Sequence, residues 1–344
     1  MIKSQDKFLK YLRQYFTIHL PQQRQSSPHT ITASRQAWNM LLDYVVKTQN
    51  TRLEKLTFDS INQNVVYAFL SEMQESRRWS KTTYNQRLSC IRSFYKYVAE
   101  AEPLLAVYRQ DLSAVHLLKT PRIKPVSYLS DNAVKALLDQ PDVSTRTGIR
   151  DLFFMVLMFD SAARCGELLN MTFGDFNITG KSIQVMGKGG KPRLIPVTDD
   201  TVEHFKRYAE TYHPKSAVNT PLFYAIHRQK PEPMSHDNVA RFMRDYSSSA
   251  QKVCPEIPLK VRPHQLRHSR AMGLYRKGMP LSLLSEWLGH EDPETTLVYA
   301  YADTEMKREA IEKASSGSRV ISSPSAERIW VGNEDMIQRL CGLR

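Results

Sequence analysis

The chain has few cysteines, and the four present, Cys90, Cys165, Cys254 and Cys341, are scattered without a C-x-x-C spacing. That usage argues against a zinc motif and against a disulfide framework, and suits a protein working in a reducing cytosol. Long apolar runs are missing too. The longest, Leu152 to Phe159, is flanked by Asp151 and Asp160 and is far too short to cross a bilayer; it reads as a buried helix. The first residues, Met1-Ile2-Lys3-Ser4-Gln5-Asp6, lack the apolar core of a signal peptide, so no membrane partner is expected. Nor does the sequence gather Asp or Glu with His in the way that holds two divalent ions, which disfavours metal-assisted phosphoryl transfer; no cofactor or metal is expected. No internal repeat is evident.

Positive charge is abundant. The 344 residues carry a net charge of +13 and a pI near 9.5, and residues 1–125 hold 19 Lys+Arg against 9 Asp+Glu, a net +10. A polyanion is the natural partner of such a chain, with solubility alone as the blander account. The length accommodates two domains.

Residues 1–115 read as a helical domain. Trp38, Leu41, Leu42 and Val45 form one apolar stripe, and Val65, Val66, Phe69 and Leu70 another. From the N-cap Ser80, Tyr84, Leu88, Ile91, Tyr95 and Val98 recur at helical spacing, with Lys81, Arg87, Arg92 and Lys96 between them as a basic face. Residues 116–127, with Lys119, Pro121, Arg122, Lys124 and Pro125, have the composition of a basic linker. Residues 128–314 follow as a second domain, in which Ser130 caps a helix to Leu138. There Ser182–Met186 and Arg193–Val197 read as two strands joined by the tip Gly187-Lys188-Gly189-Gly190-Lys191. Helices are expected near Val202–Tyr212 and Asn238–Ala250. Residues 315–344 read as a flexible tail ending in a short helix capped by Asn333, with Met336, Ile337 and Leu340 apolar.

The stretch from Pro263 to Tyr301 carries the densest chemistry. Pro263 suits the first position of a helix, which places His264, Arg267 and His268 at i, i+3 and i+4 on one face. A second helix runs from Pro280 to Leu288, Gly289 is its left-handed terminator, His290 sits in the turn, and Asp292-Pro293 open a third helix bearing Tyr299. Tyr299 and Tyr301 face nearly opposite sides, so only one can face a given group. Guanidinium groups suit the charge of a five-coordinate phosphorus. Arg164 and Arg267 could clamp two of its oxygens, histidines could carry protons, and nearby positive charge would favour a tyrosine phenolate.

In this order the motifs resemble those of the tyrosine recombinases, the phage integrase family: Arg164-Cys165-Gly166-Glu167-Leu168, the Lys188 hairpin, His264-Gln265-Leu266-Arg267-His268, and Leu288-Gly289-His290 followed nine residues later by Tyr299. The resemblance implies a mainly α fold with a small antiparallel β-sheet, arranged as a two-domain DNA clamp of a helical core-binding domain and a catalytic domain. It implies a catalytic set of Arg164, Lys188, His264, Arg267, His290 and Tyr299. Tyr299 would be the nucleophile, the arginines would bind the scissile phosphate, Lys188 would be the general acid, the histidines would assist, and Glu167 would orient the arginine region, with His268 structural. Further implications are duplex DNA as partner, a tetramer on two DNA sites, accessory DNA-bending or directionality factors, and action in the cytoplasm at the nucleoid on a mobile element. A topoisomerase-like strand-passage enzyme and a catalytically silent DNA-binding regulator are the alternatives. One departure stands out: the family usually has Thr-Gly shortly before the first arginine, where this chain has Ser161-Ala162. Alanine resists a left-handed backbone, so a right-handed turn is expected there.

Overall fold

The computed structural model describes residues 4–120, 126–187, 190–215, 217–227, 230–290, 292–302, 308, 311 and 332–343. The chain divides into two compact units, residues 1–122 and 123–344.

The first unit is helical: α1 (Ser4–Gln14), a π-helix (Tyr15–Gln23), α2 (Pro28–Thr48), α3 (Gln63–Arg77), α4 (Lys81–Ala101) and α5 (Ala106–Ser113). Side-chain caps fix three of the starts. Ser27 accepts from the Thr30 amide, Asn62 from the Asn64 and Val65 amides, and Ser80 from the Thr83 amide. The apolar stripes point inward as their spacing predicts, except that Val65 is only half-buried. Trp38 and Phe94 lie edge to face with ring centroids 4.7 Å apart at the centre of this core.

The basic face of α4 differs from expectation. Arg87 donates to the Ala33 carbonyl at 2.8 Å. Arg92 donates to the Leu112 and Ser113 carbonyls at 3.2 and 3.0 Å, and also to that of Val115. A guanidinium has donors for several orphan carbonyls at once, so Arg92 closes the C-terminal end of α5.

The second unit begins with α6 (Asp131–Leu138), capped by Ser130, and α7 (Arg146–Ser161). Along α7, Phe153, Phe154, Met155, Leu157 and Met158 are buried, as the apolar run predicts. After the short α8 (Cys165–Leu169), strands β1 (Phe176–Asn177), β2 (Ser182–Met186) and β3 (Pro192–Pro196) form an antiparallel sheet in that order. In the second pair the register runs from Ser182 opposite Pro196 to Met186 opposite Pro192. Helix α9 (Asp199–Tyr212) precedes an unanticipated hairpin, β4 (Tyr224–His227) with β5 (Lys230–Pro233). Two prolines in β5 and a connection without Gly or Asn hid it. The remaining helices are α10 (His236–Val253), α11 (Pro263–Arg276), α12 (Leu281–Leu288), α13 (Glu294–Ala302) and α14 (Glu334–Leu340). Asn333 caps α14 as expected, through the Met336 amide at 3.2 Å, but the helix buries no residue and Ile337 and Leu340 are exposed. Ser315–Ser318 lie outside the described residues.

Candidate active site

Two helix C-termini build the site. Where α7 ends, three successive carbonyls accept from side chains of α11 and α12. Asp160 O takes Arg270 Nε at 3.2 Å, Ser161 O takes Trp287 Nε1 at 3.0 Å, and Ala162 O takes Arg267 Nη1 at 2.7 Å. Where α12 ends, Leu288 O accepts from Arg267 Nη2 at 2.7 Å and Gly289 O from Arg164 Nη2 at 2.9 Å. Carbonyl ends of helices carry the negative pole of the helix dipole, so both guanidiniums are held in place without loss of their charge.

This arrangement overturns the expected right-handed turn. Ala162 adopts φ +51°, ψ +24°, a left-handed conformation that costs an alanine about 1–2 kcal/mol. The turn directs the Ala162 carbonyl at Arg267. Its methyl is fully buried in a small core with Ala271, Met272, Leu284, Leu288 and Tyr299, and that packing offsets part of the strain.

Glu167 is the carboxylate at the centre of the cluster. It accepts from the Arg164 amide at 2.8 Å and Arg164 Nη1 at 2.8 Å. Arg193, on β3, donates to its two oxygens at 2.9 and 2.7 Å. Burial pushes the Glu167 pKa up, but the hydrogen bonds from Arg193 and Arg164 prevail and it stays below the usual carboxylate range. Gly289, left-handed at φ +62°, leaves room for this pair: a Cβ there would lie 2.7 Å from Arg193 Nη1. Sequence reasoning missed Arg193 because its role depends on a partner 26 residues away.

Two guanidiniums, of Arg164 and Arg193, thus share one carboxylate. Arg267 is only 4% exposed, and among the described residues no carboxylate lies within ion-pair distance of it. Burial and the Arg164 charge lower its pKa to about 10, so it remains cationic at neutral pH. A buried cation without a counter-ion is a place for an anion.

His290 Nε2 lies 3.2 Å from Arg267 Nη2. A guanidinium only donates, so this nitrogen accepts and the ring proton sits on Nδ1, which donates to the buried Thr296 hydroxyl at 2.8 Å. Burial, then Arg267 and Arg164, lower the His290 pKa to about 4. Thr296, which fixes that tautomer, carried no signal in the sequence. His264 stands one turn before His268 with ring centroids 6.4 Å apart; burial, then Arg267 and Arg164, hold its pKa below the usual histidine value.

Tyr299 is fully buried, and its hydroxyl lies 2.8 Å from His268 Nδ1. Tyr301 is 53% exposed, so the two tyrosines do face apart. The expectation that surrounding charge favours the phenolate needs correction. Burial raises the Tyr299 pKa to about 12 and Arg267 opposes it only in part. Both side chains of the His268–Tyr299 pair line a cleft of about 970 Å3, together with Lys260, Arg262, His264 and His290. Lys188 lies outside the described residues. Of the expected set, His264, His290 and Tyr299 line this cleft, while Arg267 reaches it through its contact with His290 and Arg164 through its bond to the neighbouring Gly289 carbonyl.

A mainly helical fold with a cationic, carboxylate-poor cleft and a tyrosine at its wall is the architecture of a protein that acts on a phosphodiester. Residues 127–306 match the Phage integrase family and residues 12–102 match the Phage integrase, N-terminal SAM-like domain, and the chain belongs to the phage integrase family. It is 31% identical to a putative integrase/recombinase, y4rC, of Sinorhizobium fredii, over 88% of this chain and 90% of that one. It is 29% identical to the tyrosine recombinase XerC of Myxococcus xanthus, over 89% and 98%. Among solved structures it resembles the XerH site-specific recombinase bound to its difH substrate, with a TM-score of 0.61, 19% identity and coverage of 90% and 89%. It also resembles the Tn1549 transposon integrase in complex with transposon right end DNA, with a TM-score of 0.65, 16% identity and coverage of 90% and 98%. The chain is a site-specific DNA recombinase of the tyrosine class.

Proposed function

We propose that Tyr299 attacks the scissile phosphate of duplex DNA, forming a 3′-phosphotyrosyl bond and freeing a 5′-hydroxyl, and that the adduct retains the bond energy needed to rejoin the strand to a partner without ATP. The observation that carries this reading is the pair of guanidiniums held by helix-terminal carbonyls beside a buried tyrosine. Arg164 and Arg267 bind the non-bridging oxygens, whose charge grows in the transition state. Glu167, held by Arg193, fixes the Arg164 guanidinium, and His264 and His290 add hydrogen bonds. Lys188 protonates the departing 5′ oxygen. Exchange of strands in pairs requires two sites and four protomers. We assign the biological role to integration or excision of a mobile element, in the cytoplasm at the nucleoid, with accessory DNA-bending or directionality factors as partners. Among the described residues no helix is long and apolar enough to cross a membrane.

The test is covalent trapping. Tyr299→Phe is expected to abolish the protein–DNA adduct while DNA binding stays within a few fold, because one oxygen and no charge is removed; Tyr301→Phe is expected to keep the adduct. The opposite pattern on denaturing gels assigns the nucleophile to Tyr301.

A further inference from the structure

Among the described residues the Tyr299 hydroxyl has one hydrogen-bond partner, His268 Nδ1 at 2.8 Å. We propose that His268, as its Nε2–H tautomer, is the catalytic base that takes the Tyr299 phenolic proton at Nδ1 during strand cleavage and returns it during rejoining. The proposal rests on the reading of Tyr299 as nucleophile.

The other histidines of the cleft are placed for different work. His290 has both ring nitrogens engaged, one accepting from Arg267 and one donating to Thr296, so it has no lone pair for a phenol. His264 makes no hydrogen bond to Tyr299 among the described residues, and its ring centroid is 6.4 Å from that of His268. His268 is fixed by the helix that supplies Arg267, one residue before it, so base and phosphate-binding cation are carried by the same turn of α11.

The step balances. The Tyr299 oxygen forms its bond to phosphorus while the bond from phosphorus to the 5′ oxygen breaks. The phenolic proton passes to His268 Nδ1, and the 5′ oxygen leaves as a hydroxyl with a proton from the general acid. In rejoining, the 5′-hydroxyl loses its proton to that acid's conjugate base, and the His268 imidazolium protonates the departing phenolate.

The groups facing His268 are His264 and Arg267 on its own helix and Tyr299 on α13, with His290 close enough to be influenced by it. Burial, then His264 and Arg267, keep the imidazole neutral in the DNA-free protein, which leaves Nδ1 available as an acceptor. A phosphate entering beside Arg267 brings negative charge, which favours the imidazolium. The base thus strengthens when substrate is in place, and the tyrosine stays protonated until then.

The experiment uses the full chain and a suicide duplex carrying its own crossover site, recovered from DNA trapped on the wild-type protein in cells. His268→Asn keeps a polar group near the Nδ1 position but cannot take a proton. It is expected to slow single-turnover adduct formation by about 100-fold or more, both on the ordinary phosphate and on a 5′-bridging phosphorothiolate, with DNA binding within a few fold. Lys188→Ala, by contrast, is rescued on the phosphorothiolate, whose sulfur leaves without a proton. The wild-type rate should level off with rising pH, while the His268→Asn rate continues to climb toward the tyrosine's own titration. A His268→Asn rate within threefold of wild type on the phosphorothiolate overturns the proposal, and a faster rate shows that the contact is a latch instead. Thermal melting verifies folding, and His268→Gln is read by the same criteria if the Asn variant unfolds. Loss of the adduct in Tyr299→Phe beside a normal His268→Asn removes only the base; an adduct surviving in Tyr299→Phe removes the nucleophile reading itself.

Discussion

Arg267 keeps its charge unspent because its partners are neutral: the carbonyls of Ala162 and Leu288 and the acceptor nitrogen of His290. A carboxylate in any of those places would hold the guanidinium equally well and cancel the field that a phosphate needs. Its neighbours pay in basicity. His268 and His290 are both depressed to about 4, below the unfolded value of about 6.5. Between pH 6.5 and 4 the unfolded chain therefore binds more protons than the folded one, and stability falls as pH falls through that window. Melting temperatures of the full chain are expected to drop from pH 6.5 to pH 4, and His290→Gln is expected to flatten that drop. An unchanged slope in His290→Gln would assign the acid sensitivity to other groups. In the sequence His264, Arg267 and His268 were legible as one helical face, whereas Arg193 and Thr296 were not, since a strand arginine and a helix threonine look ordinary until Glu167 and His290 are brought to them.

At the scale of elements, the site is made where helices stop. The ends of α7 and α12 present orphan carbonyls, and left-handed residues, Ala162 and Gly289, turn those carbonyls toward the arginines. Gly289 was readable as a terminator. Ala162 was misread, because a steric rule about alanine competes with a tertiary demand, the Arg267 hydrogen bond, that is silent in the sequence. Gly289→Ala is expected to cost about 1–2 kcal/mol in backbone strain and to displace Arg193 from Glu167, whose pairing the new methyl would crowd at 2.7 Å. Chemical denaturation measures the first effect and adduct formation the second; a variant with wild-type stability and cleavage would show that the turn tolerates a side chain.

For the whole molecule, charge sets the expectation for DNA. With a net +13, duplex binding should weaken steeply with salt, by about 0.9 in log K per log salt for each phosphate neutralised, and the fragment of residues 1–125, with its net +10, should carry much of that slope. Binding isotherms at several salt concentrations, for the full chain and for the fragment, test this; a folded fragment with salt-independent binding would refute the partition of charge. Arg87 and Arg92 should add little to the slope, since both are tied to backbone carbonyls. Substituting Arg92 should instead lower stability.

The sequence by itself determined the helical periodicities, the caps at Ser80, Ser130 and Asn333, the three-stranded sheet's central hairpin, and the order of motifs that marks the family. These are local properties: spacing, propensity and capping act within a few residues and leave a trace along the chain. Only the tertiary structure decided that Ala162 turns left-handed, that Arg193 shares Glu167 with Arg164, that burial outweighs charge at Tyr299, and that His268 is the residue touching its hydroxyl. Each of those depends on segments distant in sequence meeting in a low-dielectric interior, where desolvation and hydrogen bonding are set by neighbours that spacing along one helix cannot reveal.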